Sequence, residues 1–209
     1  MARLVGGING PIIGKVGTIT GTYRNGKAYI KANNIRRAKQ TPNELIAKER
    51  FATAHYFLQP LLDYVREGFR HQPKKGYNGA KSYTLLHALE GEPMHSTVNP
   101  ALVKVSLGDL PLSKDLAVRY ENEHIIFTWN TENVEGGSLY DQLMPLAYYV
   151  HPTHQRARYQ ITGALRKTGT DSLHVGPAKG LVFHVYVAFT SADRSQNSES
   201  MYLGTVETV

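Results

Sequence analysis

Lys15 stands inside "GGINGPIIGKVGTITG", residues 6–21, where glycines on both sides of a lysine make phosphate binding the first chemistry to test. A phosphate loop of the form G-x-x-x-x-G-K-[ST] works because backbone N–H groups of the glycine loop converge on the phosphates while the last hydroxyl holds a metal. Asn9 occupies the place of the first glycine and Val16 that of the hydroxyl residue. The dinucleotide-binding alternative needs a strand before the glycines and a helix after them, and the stretch that follows, "TITGTYRNGKAYIKAN", is not helical in character. Both phosphate motifs fail, and the glycines read as turn and close-packing residues.

Other groupings carry little chemistry. His151 and His154 in "HPTH" offer two metal ligands, but no third histidine or carboxylate nearby completes a site, so a solvated turn is the better reading. Asp63 and Glu67 lie one helical turn apart, the spacing of an acid–base pair, yet Leu62, Val65 and Arg66 alternate with them as on a solvated helix face. There is no G-x-S-x-G elbow. With no cysteine there is no thiolate ligand, thiol nucleophile or disulfide. The expectation is a protein that is not an enzyme, with no metal, cofactor or small-molecule substrate.

Charge is more informative. The net charge of +7 is concentrated at the N-terminus, where Arg3, Lys15, Arg24, Lys27, Lys31, Arg36, Arg37 and Lys39 meet no acid before Glu44. Residues 44–97 have seven bases against six acids, and residues 98–209 have nine against eleven. Such asymmetry points to an anionic partner for the arm, or to an acidic surface on a neighbouring subunit.

The elements that position these residues follow from turns and periodicity. Asn25-Gly26 is the preferred pair for a two-residue type I′ turn, which needs positive φ at both positions. A hairpin over 17–33 then pairs Arg24 with Lys27. Ile19, Gly21, Tyr23, Ala28, Ile30 and Ala32 fall on one face, and the hydroxyls, lysines, Arg24 and Tyr29 on the other. The apolar face needs cover from a helix or another chain. Lys15, Arg24, Lys27, Tyr29, Lys31, Arg36, Arg37 and Lys39 are candidate partner- or nucleic-acid-binding residues; Ile19, Tyr23 and Ile30 are candidates for self-association.

"TPNE" at 41–44 starts a helix, with Thr41 as cap, Pro42 in the first position and Glu44 reaching back. Phe51, His55 or Ala54, Leu58, Leu62, Val65 and Phe69 recur at helical spacing, and Pro60 should kink or divide the run. Ala80–Leu89 reads as a shorter helix, and "GEPMHSTVNP" as a linker. From Ala101 the period becomes two. "ALVKVSL", "LAVRYE", "HIIFTWN", "PLAYYVH", "ARYQITGAL", "SLHV", "LVFHVYVAFTS" and "SMYLGTVE" read as strands of an antiparallel sandwich.

The C-terminal half resembles a fibronectin type III or similar immunoglobulin-like domain. "HIIFTWN" looks like its second strand with Trp129 as the core tryptophan, and the run from Leu173 to Val206 like its last three strands, with Phe183, Val185 and Val187 inward. The family usually carries a tyrosine where Phe183 stands. A carbohydrate-binding role for such a sandwich rests on fold analogy, and exposed Tyr140, Tyr148, Tyr149 and Tyr159 would strengthen it. The whole chain also resembles an uncharacterised family of Bacteroidota proteins of unknown function, through "GGINGPIIGKVGTITG", "TPNELIAKERFA" and "FHVYVAFTSAD…SMYLGTV". That resemblance implies an architecture and a bacterial or bacteriophage origin, and it points to no particular activity, cofactor or site.

The readings combine into an α+β chain: a basic β-hairpin arm over 1–40, a helical segment and linker over 41–97, and an antiparallel immunoglobulin-like β-sandwich over 98–209. The expected function is a non-catalytic structural or interaction protein. It associates through its arm, as a homo-oligomer or with other protein subunits, in a larger assembly. Nucleic-acid binding by the same arm is the alternative. No apolar run is long enough for a membrane-spanning helix, and the N-terminus lacks the pattern of a signal peptide. The expected location is the cytoplasm or an assembled particle.

Overall fold

The structure is a computed structural model that describes all residues except 1, 8, 9, 34–38, 75, 133, 134, 152, 153, 178 and 209. The chain divides into two compact units, Met1–Thr41 (the arm) and Pro42–Val209 (the body).

The arm is an antiparallel meander of β1 (Arg3–Leu4), β2 (Ile12–Val16), β3 (Ile19–Arg24) and β4 (Lys27–Ala32). Asn25 and Gly26 take φ of 50° and 76°, and Arg24 faces Lys27. The expected hairpin is therefore present, but as the second half of a larger sheet. The first half was hidden by glycine. Gly17, with φ of 54°, makes a second two-residue turn that sets Val16 opposite Ile19. At Gly14 (φ 111°) β2 changes partner, pairing with β1 before it and β3 after it. The Ile12 carbonyl then lies over Gly21, where a Cβ would sit 1.9 Å from the oxygen. Only glycine fits at position 21.

In the body, α1 (Pro42–Leu58) begins at the proline, and Pro60 interrupts the run as a 3-10 turn over Gln59–Leu61 before α2 (Leu62–Gly68). The buried stripe is Ala54, Phe57, Leu58, Leu61, Tyr64, Val65 and Phe69, while Phe51 and His55 point outward. α3 (Gly76–His87) starts earlier than the expected Ala80. Its "GYNG" looks like loop sequence, but Gly79 is there for contact: a Cβ would meet the Lys74 carbonyl at 2.0 Å and Phe69 Cδ1 at 2.9 Å. The end of the expected second helix and the expected linker together form a small hairpin, β5 (Leu89–Glu90) paired with β6 (Thr97–Val98). "ALVKVSL" is not a strand. It enters from a 3-10 turn at Pro100–Leu102, buries Val103 and Val105, and bonds its backbone to Ser200, whose Oγ accepts from Val105 N–H at 2.9 Å.

The remaining strands are β7 (Ala117–Glu121), β8 (His124–Thr128), β9 (Gln142–Val150), β10 (Gln155–Tyr159), β11 (Thr170–His174), β12 (Val182–Thr190) and β13 (Met201–Glu207). They form a three-stranded sheet, β11-β8-β7, and a four-stranded one, β10-β9-β12-β13, both antiparallel. Alternation along β9 and β12 feeds two cores. Leu143, Ala147, Phe183, Val185, Val187 and Phe189 join Ile125, Phe127, Trp129 and Leu173 of the three-stranded side. Met144, Leu146, Tyr148, Tyr186 and Ala188 join Phe57, Leu58, Leu61, Tyr64, Val65 and Phe69 of the helices. The four-stranded sheet is thus buried on both faces. Three phenols tie it to the helical side: Tyr64 donates to the Met144 carbonyl, Tyr148 to that of Phe57 and Tyr186 to that of Pro100, each at 2.7 Å. The change of sequence pattern near residue 97 does not separate two compact units, because helices and strands share a core.

Candidate interaction surface

Strand alternation in the arm sorts chemistry by face. Ile19 opposes Ala32, Gly21 opposes Ile30, and Tyr23 opposes Ala28, so one face of the β3–β4 hairpin carries only apolar side chains and glycine. Val16, opposite Ile19, extends it. Ile19 is half-buried, but Tyr23 and Ile30 expose 52% and 65% of their surface. Among its described residues, the arm does not supply the cover expected for these two.

The other face carries the basic candidates. Lys15, Thr20 and Lys31 form one cross-strand row, Thr22 and Tyr29 the next, and Arg24 and Lys27 the last. Tyr29, 51% exposed, stands between Lys27 and Lys31 along its strand. At the far end, Thr20 Oγ1 donates to Asn33 Oδ1, and Asn33 Nδ2 donates to the Gly17 carbonyl at 2.7 Å. Lys39 is exposed, while Arg36 and Arg37 lie outside the described residues. The candidates on β2, β3 and β4 thus separate by face as their spacing implied. What periodicity did not single out is the outer edge of β4, where all six residues are exposed.

The body's polar groups are largely committed to one another. Arg166 is almost fully buried; its guanidinium pairs with Asp141 at 3.1 Å, donates to Ser113 Oγ and the Pro111 carbonyl, and lies 4.2 Å from the Phe189 ring centroid. Burial lowers its pKa and Asp141 counteracts the shift. The Trp129 indole donates to the Arg166 carbonyl at 2.7 Å and meets Phe189 edge-on. This knot has no signal in spacing, because its members are far apart in sequence. Asp63 pairs with Arg66, and Glu67 with Arg70 and Arg194. The His151 and His154 rings lie 4.7 Å apart beside Tyr149. Among the described residues no group of three or more His, Cys, Asp or Glu is placed to hold a metal ion, and no helix is long and apolar enough to cross a membrane.

Tyr140, Tyr148, Tyr149 and Tyr159 do not make one aromatic patch. Tyr148 is fully buried in the helix-side core, Tyr149 packs against the other core, and of the four Tyr140 is the well-exposed one. An open cleft of about 310 Å³ beside α3 is lined by Phe69, Tyr83, Leu86 and Leu107, and its Lys74 and Ser82 side chains bond each other at 3.0 Å.

Comparison with curated proteins and with solved structures finds no match. Residues 11–204 match a family of unknown function, DUF6266, and the chain belongs to that family.

Proposed function

We propose that this is a non-catalytic structural or interaction protein that associates through its N-terminal arm. The observation that carries the reading is the uncovered apolar face of the β3–β4 hairpin, with Tyr23 and Ile30 exposed on it. Burying side chains of this kind is worth ~1.5–3 kcal/mol each, enough for a few of them to drive association. We read the body as an immunoglobulin-like carrier of the fibronectin type III kind. Counted from β7, the first, second and fifth strands share one sheet, and the fourth pairs with the third in the other, an order that supports the reading.

A second reading, nucleic-acid binding, is favoured by the Lys15–Thr20–Lys31 row and exposed Tyr29, because phosphates take lysine and hydroxyl contacts and bases stack on aromatics. Sedimentation separates the two. Self-association should be lost in the double variant Ile19→Asp with Ile30→Asp, and largely kept when Arg24, Lys27, Lys31, Arg36, Arg37 and Lys39 are made neutral. A wild type that stays monomeric at every concentration, and binds nucleic acid with steep weakening in salt, would replace the first reading by the second.

A further inference from the structure

Asn33 N–H donates to the Thr18 carbonyl at 2.7 Å, which fixes the hydrogen-bonding phase of the hairpin. In an antiparallel ladder alternate residues bond inward and outward. Lys27, Tyr29 and Lys31 therefore bond to β3, and Ala28, Ile30 and Ala32 aim their N–H and C=O groups at the open edge. Edge strands are normally protected by lysine, proline, a bulge or an inward-pointing charge. β4 carries Lys27 and Lys31 but no proline or bulge: its register runs unbroken from Lys27 to Ala32, the lysines sit at positions bonded to β3, and apolar residues carry the free backbone groups.

Resting on the association proposed above, we infer that the partner is a second copy of this chain, docked β4 to β4 in antiparallel fashion about a two-fold axis at Ile30. Charge selects the register. With Ile30 opposite its own copy, Ala28 faces Ala32, Tyr29 faces Lys31 and Lys27 faces Asn33, so ammonium groups meet an aromatic ring and an uncharged amide. A slip of two residues one way sets Lys27 against Lys31; the other way sets Lys31 against Lys31. A slip of one residue mismatches the bonding groups. The strand is thus self-complementary in one register, as an isologous contact requires. In the joined sheet Ile30 packs beside its own copy and Ala28 beside Ala32, so the contact covers part of the apolar face, and the basic residues lie on the other.

The contact brings two basic arms together, so salt should strengthen it by screening, the reverse of its effect on nucleic-acid binding. The test uses the full chain with Ala28→Pro and Ala32→Pro together. Proline is tolerated on an edge strand where its N–H would face outward, so the β3–β4 bonds survive while donors to the partner vanish. Wild type should sediment as a dimer that tightens with added salt, and the proline variant should dimerise at least about tenfold more weakly. Independently of any variant, the wild-type amides of Ala28, Ile30 and Ala32 should gain hydrogen-exchange protection as concentration rises. A proline variant as dimeric as wild type, or those amides unprotected in the dimer, overturns the edge contact. If Ile19→Asp with Ile30→Asp still abolishes that dimer, association through the arm stands without it. A wild type that never dimerises removes both.

Discussion

All six residues of β4 in the arm are exposed, whereas β9 and β12 in the body are buried almost end to end and on both faces. Both regions are antiparallel and both alternate, yet the same two-residue period has opposite outcomes. In the body, each face of the four-stranded sheet finds its own core, one from the helices and one from the three-stranded sheet. In the arm, the apolar face of β3 and β4 leaves Tyr23 and Ile30 in solvent. Alternation specifies which residues share a face; it does not specify what covers that face.

The sharpest way to break the contrast is to damage the body's core and ask whether the arm notices. Trp129→Ala should cost the body ~3–5 kcal/mol, as truncation of a buried aromatic does, because Trp129 packs on Phe189 and anchors the Arg166 carbonyl. Denaturant unfolding followed by circular dichroism measures it. Near-normal resistance would mean the two sheets do not share one core.

Alkaline unfolding comes next. Burial raises the phenols of Tyr64, Tyr148 and Tyr186 above their ordinary value, with nearby tyrosines adding to the shift at the last two. The unfolded chain therefore loses these protons first, near pH 10, and stability should be level below that point and decline above it. The decline is at most about 1.4 kcal/mol per pH unit for each phenol. Unfolding midpoints between pH 8 and 11 give the slope. The single change Tyr148→Phe should be milder, ~1–2 kcal/mol at neutral pH for the loss of one buried bond to the Phe57 carbonyl, and should flatten the alkaline slope.

The smallest expected change in the body comes from the arm. Gly21→Ala places a methyl against the Ile12 carbonyl and should disrupt the β2–β3 bend, seen as lost protection of arm amides. The body's midpoint should stay within about 0.5 kcal/mol of wild type, as for a change remote from its core. A larger drop would show that the two units fold as one.

Local chemistry made much of this fold legible. Asn25-Gly26 set the hairpin and its register, Pro42 and Pro60 marked a helix start and a break, and alternation found most of the strands. What escaped reading depends on contact between distant residues. α3 begins at Gly76 because Gly79 fits beneath Phe69 and the Lys74 carbonyl, which no local rule foretells. "ALVKVSL" alternates like a strand but satisfies its backbone through Ser200. The candidate surface was legible by face. The Arg166–Asp141 knot was not, since a buried arginine looks like any other arginine in sequence.

The three phenol bonds also bear on how the chain is made. Tyr64 and Met144 lie 80 residues apart, Phe57 and Tyr148 91, and Pro100 and Tyr186 86. At a synthesis rate of roughly 5–20 residues per second, the first partner of each bond waits on the order of 4–18 s for the second to be made. During that interval Phe57, Leu58, Leu61 and Val65 have no strand to pack on. A nascent chain that ends before Gln142 therefore displays an apolar helix surface that the finished protein hides, open to whatever binds such surfaces during translation.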